Sequence, residues 1–183
     1  MSLEGESDQE DVNVPFVSSS ELVIRKMLDM VKLRPEDVLI DLGCGNGKVI
    51  VMASQDFGAS CIGIEKREDL VLEAGKAIGD LGLSRRAAVV RGDIFSFDLR
   101  KADVVICYLL TVINKKLEPK IEKELKLDAR LISHDFEFPD WKPTEFIEVN
   151  EGWLDHKIYV YVKESTDGFR RKPEKIEPNW RPL

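Results

Sequence analysis

Polar and apolar positions along this chain follow two alternating periods. "SSSELVIRKMLDMVKL" places Ile24, Met27, Leu28 and Val31 at i, i+3, i+4 and i+7, the stripe of an amphipathic helix. Ser18 with Glu21 three residues on predicts a capping box at its start, and Pro35 ends the segment. "DVLIDL" is apolar almost without a break, as in a parallel strand buried on both faces. "GKVIVMASQDFG" has the length of a helix stopping near Gly58, and "SCIGIE" reads as a second short strand. "REDLVLEAGKAIGDLG" puts Leu70, Ala74, Ala77, Ile78 and Leu81 on one helical face, with Gly82 as its stop. "AAVVRGD" and "ADVVICYLL" read as the third and fourth strands. Leu117, Ile121 and Leu125, spaced by four, predict a helix that Pro119 breaks or restarts. "ARLISHDF" is a fifth strand. "TEFIEVN" and "HKIYVYV", separated only by "EGWLD", predict an antiparallel hairpin.

Strand and helix alternate five times before that hairpin. The order predicts an α/β fold: a Rossmann-like, seven-stranded, mostly parallel sheet with helices on both faces and a C-terminal antiparallel hairpin. With 183 residues, one domain is expected, spanning 14–163. Residues 1–13 read as a disordered acidic leader and the Pro- and charge-rich residues 164–183 as a tail. No apolar run approaches the roughly 20 residues of a membrane span. The acidic start has no apolar signal core, so a cytoplasmic protein without membrane insertion is expected.

Cys44, Cys61 and Cys107 lack CxxC spacing and predict buried thiols in a reducing compartment. Neither they nor His134 and His156 show metal-ligand spacing, so no metal is predicted. The net charge of −7 counts against a nucleic-acid partner and suits a cationic one.

The chemistry concentrates in "IDLGCGNGKVIVMA", residues 40–53, where Gly43, Gly45 and Gly47 alternate behind a strand. In an open α/β sheet this is the edge where ligands bind, and glycine lets a ligand approach the main chain. A P-loop is excluded, because Leu42 stands where its first glycine belongs and Val49 where its hydroxyl belongs. A dinucleotide loop needs GxGxxG, whereas the spacing here is GxGxG with Lys48 in the third glycine's place.

Asp41-Leu42-Gly43-Cys44-Gly45-Asn46-Gly47 instead resembles the [DE]xGxGxG motif of class I S-adenosylmethionine-dependent methyltransferases. That resemblance implies S-adenosyl-L-methionine as cofactor, with Asp41 as counter-charge to its ammonium and the Gly43, Gly45 and Gly47 backbone against it. It places Glu65, at the end of strand two, on the ribose hydroxyls, with Asn46 and Lys66 alongside. Asp93 and Ile94, after strand three, would hold the adenine. The terminal hairpin is also part of that fold.

Nucleic-acid signatures are missing. "ICYLL" stands where a [DNS]PP[YF] motif would be, and no Lys-Asp-Lys-Glu set or catalytic CysPro pair is evident. "VPFVSSSELVIRKML", "DLGCGNGKVIVMA", "GIEK", "YLLTVINKKLEPKIEKEL" and "SHDFEFPDWKP" are together similar to the archaeal seven-β-strand protein-lysine methyltransferases. Those are related to the enzymes that methylate the ATP synthase c-subunit. The similarity covers about residues 14–162. It implies methyl transfer to lysine ε-amines of protein substrates; separately, a monomer is expected. It also implies an N-terminal segment folding over the cofactor, which brings Phe16 and Ser19 to the pocket. Ser18-Ser19-Ser20 replace a Pro-Thr-Pro-like stretch expected there, and Asn46 replaces a common acid.

Within that frame Tyr108, at the end of strand four, is the candidate to orient the amine. Asn114 is a candidate for orienting substrate or capping the next helix. His134 is a candidate base or a structural hydrogen-bonding group, and Phe136, Phe138 and Trp141 line a lysine channel or cover the sheet end. A methyltransferase for a small metabolite or RNA, and a non-catalytic S-adenosylmethionine-binding module, are the alternatives.

Overall fold

The computed structural model describes residues 17–166 and 168–173. Among them the chain runs α1 (Glu21–Met30), β1 (Val38–Leu42), α2 (Lys48–Asp56), β2 (Ser60–Glu65), α3 (Glu68–Asp80), β3 (Ala87–Arg91), β4 (Val104–Cys107), α4 (Thr111–Glu124), β5 (Arg130–His134), β6 (Glu145–Glu151) and β7 (Leu154–Val162). The expected leader, residues 1–13, and Phe16 lie outside the described residues.

The strands form one seven-stranded sheet in the order β3-β2-β1-β4-β5-β7-β6. The first five are parallel, and β7 inserts antiparallel between β5 and β6. Strand order reverses between β1 and β4, the place where an open α/β sheet binds its ligand.

Period-two alternation sends side chains into two cores. Leu39, Val104, Ile106 and Ile132 join Val23, Ile24, Met27 and Leu28 of α1, Ile50 and Ala53 of α2, and Ile78 of α3. Ile40, Leu42, Val105, Cys107 and Leu131 join Leu117 and Ile121 of α4 on the other face. The same alternation carries Asp41, Tyr108 and His134 to the α1–α2 face, all at the carboxyl ends of adjacent strands.

Several local features differ from the sequence expectation. The cap of α1 is Ser20, not Ser18: its extended backbone lets Oγ accept from the Val23 amide at 3.2 Å. Pro119 lies inside a continuous α4, since burial of Leu117 and Ile121 in the second core outweighs one lost helical hydrogen bond. Leu81, expected on the buried stripe of α3, is 52% exposed, because the helix ends at Asp80 and the chain turns away at Gly82. Strand–helix alternation is also incomplete. No helix separates β3 from β4 or β5 from β6. Loop residues Leu99, Ala102, Phe138 and Trp141 cover the second face beside α4.

The residues read as a tail begin by packing on that face. Phe169 is 4% exposed and stacks on Trp141 at 4.2 Å between ring centroids. Arg171 forms an isolated antiparallel bridge with Trp141, and Lys172 pairs with Glu137 at 2.8 Å. Lys163 turns its ammonium inward to the Glu122 and Leu125 carbonyls at the end of α4. A single apolar residue, Phe169, anchors a segment whose composition is otherwise that of a solvated end. Residues 174–183, including Trp180, lie outside the described residues.

Candidate active site

The glycine loop is a tight connection from β1 into α2. Gly43, Gly45 and Gly47 have φ of 79°, 54° and 80°, the left-handed region that favours glycine. The Gly43 and Cys44 amides both donate to the Ile64 carbonyl, at 2.9 and 3.0 Å, tying the loop to β2. A Cβ on Gly47 would come within 2.9 Å of the Ala74 Cβ, so the missing side chain there also serves packing of α3. Gly47 is the N-cap of α2 and makes no side-chain cap hydrogen bond, leaving that helix end its positive polarity.

Two acids meet at this loop. Asp41 is 4% exposed. Burial, reinforced by the charge of Glu65, pushes its carboxyl up to about 7. Glu65 accepts from the Gly45 amide and the Arg67 amide, both at 2.9 Å. Two carboxyl groups in a partly dry place favour either a proton on Asp41 or a cationic group beside them.

A cleft of about 40 Å³ opens beside Asp41, lined also by Ser19, Gly43, Asn46, Lys48, Tyr108 and His134. Such a volume holds only a few waters. Residues 17–19 close it from above. Ser19 Oγ lies 2.8 Å from His134 Nδ1, and Lys48 Nζ donates to the Ser19 carbonyl at 3.2 Å. Asn46 reaches sideways to Glu73 at 3.1 Å. A wider cavity of about 380 Å³, lined by Arg34, Asp103 and Arg130, lies at the opposite, amino-terminal edge of the strands, away from these groups.

Tyr108 and His134 form the far wall. Their rings lie 3.9 Å apart, and Phe136 is 6.0 Å from Tyr108. The Tyr108 hydroxyl donates to Asp135 Oδ2 at 2.9 Å. Burial, then the Asp135 hydrogen bond and charge, pushes the phenol up to about 12, so it stays protonated. His134 is fully buried, and that burial lowers it to about 4, leaving a neutral imidazole.

The other expected site residues divide into three groups. Glu65, Lys66, Asp93 and Ile94 stand at the carboxyl ends of β2 and β3, along the rim rather than in the cleft. Lys66 and Asp93 are exposed, Asp93 Oδ1 accepts from the Phe95 amide at 2.9 Å, and Ile94 packs on the second core. Asn114 is not in the cleft and is not a helix cap. It is fully buried behind the sheet, donating to Ser133 Oγ at 3.2 Å and to the Phe136 and Glu137 carbonyls at 3.0 and 3.3 Å. Its side chain falls on the α4 stripe that packs against the sheet, so it braces the turn after β5. Phe138 and Trp141 are likewise fully buried in the second core, which makes them a cover for the sheet and not a channel.

Sequence reasoning missed Asp135 and the company of His156. Asp135 follows His134 with φ 59°, an uncommon conformation for a non-glycine residue. His156 is twenty-two positions from His134, and the β5–β7 pairing brings their Nε2 and Nδ1 atoms to 3.0 Å. The "HD" pair stands at the end of β5 and the "DH" near the start of β7, and only the register of those two strands brings them together.

The profile of the ANTKMT methyltransferase domain matches residues 41–145. The chain is 41% identical to a protein-lysine N-methyltransferase of Saccharolobus islandicus, over 82% of this chain and 94% of that protein. It is 29% identical to the adenine nucleotide translocase lysine N-methyltransferase of Mus musculus, over 74% of this chain and 59% of that one. It therefore spans less than two thirds of that mammalian relative. Among solved structures, an RNA methyltransferase from Salinibacter ruber in complex with S-adenosyl-L-homocysteine superposes with a TM-score of 0.75. The two are 31% identical, over 89% of this chain and 98% of that one. Among the described residues no helix is long and apolar enough to cross a membrane. Sheet order, glycine loop and these likenesses converge: the chain belongs to the ANTKMT methyltransferase-domain family and is a Rossmann-like, S-adenosylmethionine-dependent methyltransferase.

Proposed function

We propose that this enzyme methylates lysine ε-amines of protein substrates. The observation that carries the reading is the 41% identity to the Saccharolobus islandicus protein-lysine N-methyltransferase across nearly the whole of that protein. The site fits the cofactor on its own terms, because Asp41, its carboxyl raised by burial and then by the charge of the half-buried Glu65, sits where a cationic group would be favoured. In this reading Asp41 faces the ammonium and the Gly43–Gly47 backbone receives the chain of the ligand. Glu65 uses its remaining lone pairs for the ribose, with Asn46 and Lys66 alongside, and Asp93 and Ile94 hold the adenine. Ser19, with Phe16, closes over the cofactor. Residues 17–19 line the cleft and in this reading lie over the bound methionyl chain.

When bound, S-adenosylmethionine supplies a methyl group activated by its sulfonium. The protein's task is to present a neutral amine in line with it and to exclude water. A free lysine amine titrates near 10.4, and burial beside positive charge lowers that value, so water can take the proton without a strong protein base. Tyr108 accepts from the amine through its oxygen while its own proton stays directed at Asp135. Neutral His134 forms the wall behind it and is not asked to take the proton. A monomer acting in a reducing cytoplasm completes the reading, in line with the buried, unpaired Cys44, Cys61 and Cys107.

The likeness to the Salinibacter ruber RNA methyltransferase favours a second reading, RNA as acceptor; the net charge of −7 speaks against it. Incubation of a lysate with labelled cofactor, split between protease and nuclease digestion, separates the two. Label released by protease alone supports lysine transfer, and label released by nuclease alone refutes it.

A further inference from the structure

We propose that His134, Asp135 and His156 form a binding site for one divalent transition-metal ion of the zinc class, beside the catalytic cleft. The site is independent of whether lysine or RNA is the acceptor.

Three potential ligand atoms converge. His134 Nε2 is 3.0 Å from His156 Nδ1, His156 Nδ1 is 3.2 Å from Asp135 Oδ2, and His134 Nε2 is 3.4 Å from that same oxygen. Ligands at about 2.0–2.1 Å from zinc in a tetrahedron stand about 3.3 Å apart. The triangle is thus one face of such a tetrahedron, already assembled. Two imidazoles and one carboxylate are donors that suit zinc and its neighbours rather than magnesium or calcium, which take oxygen.

Hydrogen-bond distances overlap with those edges, so the protonation pattern has to separate the cases. Each histidine has its second nitrogen directed elsewhere. His134 Nδ1 meets Ser19 Oγ at 2.8 Å, and His156 Nε2 faces Glu151 Oε2 at 3.6 Å. A metal-bound histidine characteristically gives its other N–H to a carboxylate or similar acceptor. With both outward nitrogens protonated, the triangle holds three lone-pair-bearing atoms and no donor. A metal ion shared by all three resolves that tautomer, whereas a Ser19 hydroxyl donating to His134 Nδ1 would leave a proton on Nε2 and make the contacts plain hydrogen bonds.

The scaffold is rigid where it has to be. His134 pairs with Ile158 across β5 and β7, so His156, two residues earlier, lies on the same face of the sheet. Asp135 is held by its amide on the Lys157 carbonyl at 2.7 Å and by the Lys157 amide on its Oδ1 at 2.8 Å. Those contacts maintain its left-handed backbone, the kind of local strain that persists where a function requires it. His134 is buried, while Asp135 and His156 keep 22% and 15% side-chain exposure, enough for an ion to enter from their side. The ion would anchor the same Asp135 oxygen that receives the Tyr108 hydroxyl.

The test uses the full chain, stripped with a chelator and titrated with zinc, and with cobalt for its visible spectrum. The expected result is one ion per chain, visible cobalt bands of a tetrahedral site, and a higher melting temperature by mass action. Asp135→Asn and His156→Ala should each weaken binding at least a hundredfold, and Glu151→Gln about tenfold. Unchanged zinc affinity in both ligand variants would place the ion elsewhere and overturn the proposal. A readout without variants is the nitrogen NMR spectrum of the two histidines. Zinc should shift His134 Nε2 and His156 Nδ1 together. A spectrum unchanged by zinc would leave only hydrogen bonds between these side chains and overturn it as well.

Discussion

The hydroxyl of Tyr108 donates to Oδ2 of Asp135 at 2.9 Å, across the gap between the ends of β4 and β5. That bond fixes the phenol's proton away from the cleft and turns its oxygen lone pairs toward it. Tyr108→Phe should therefore lower kcat while leaving cofactor affinity near the wild-type value. One hydrogen bond of about 1–1.5 kcal/mol corresponds to roughly a tenfold loss of rate. Steady-state kinetics beside titration with S-adenosylhomocysteine checks it. An equal loss in both would mean that the ring shapes the cofactor site instead.

Asp41 makes the enzyme sensitive to pH in a predictable direction. Its folded-state carboxyl sits near 7 and its unfolded one near 4, so between those values the native state holds a proton that the unfolded state has lost. Stability of the ligand-free enzyme should fall as pH rises through that window. Affinity for the cationic cofactor should rise over the same window, as the carboxylate forms. Asp41→Asn should flatten both profiles and weaken binding. Calorimetry from pH 4 to 8 reads both effects, and a parallel profile in the variant would move the titration to another group.

A quieter glycine supports the loop. A Cβ on Gly63, in β2, would run into Cys44 of the glycine loop and reach within 3.0 Å of Ile50. Gly63→Ala should cost about 1–3 kcal/mol by overpacking and should weaken cofactor binding by displacing the loop. Denaturant melts with and without S-adenosylhomocysteine test it, and wild-type behaviour in both would show that the loop has slack.

The segment after β7 is predicted to stabilise without taking part in binding. Phe169 packs on Trp141 behind the sheet, opposite the cleft. Phe169→Ala should lower stability by about 3–5 kcal/mol with cofactor affinity retained. Loss of affinity in a folded variant would couple the two faces.

What the chain discloses in advance follows from the range of the interactions involved. The strands around Asp41, Glu65 and Ile106 are continuous apolar runs, and the glycine loop is a local motif, so both are legible from neighbours in sequence. Asn114 escapes such reading because the face that α4 buries is settled by Leu117 and Ile121 meeting the sheet, not by the spacing of polar residues. The contact of His134 with His156 depends on the register of β5 against β7, which no spacing along the chain encodes. Phe169 is one aromatic in a charged stretch, too little to outweigh that composition. Ser20 rather than Ser18 caps α1 because three consecutive serines offer equivalent caps, and tertiary contact, here Ser20 with Glu151, selects among them.

The central claim is that this cleft delivers a methyl group to lysine. Tandem mass spectrometry of a lysine-rich protein after incubation with the enzyme and S-adenosylmethionine tests it directly, with pH varied from 7 to 9. The expected product carries methyl groups on lysine ε-amines. Its yield should rise with pH as the amine loses its proton and should fall with Tyr108→Phe. Methyl groups on RNA or a small molecule, with none on lysine at any pH, would contradict the account.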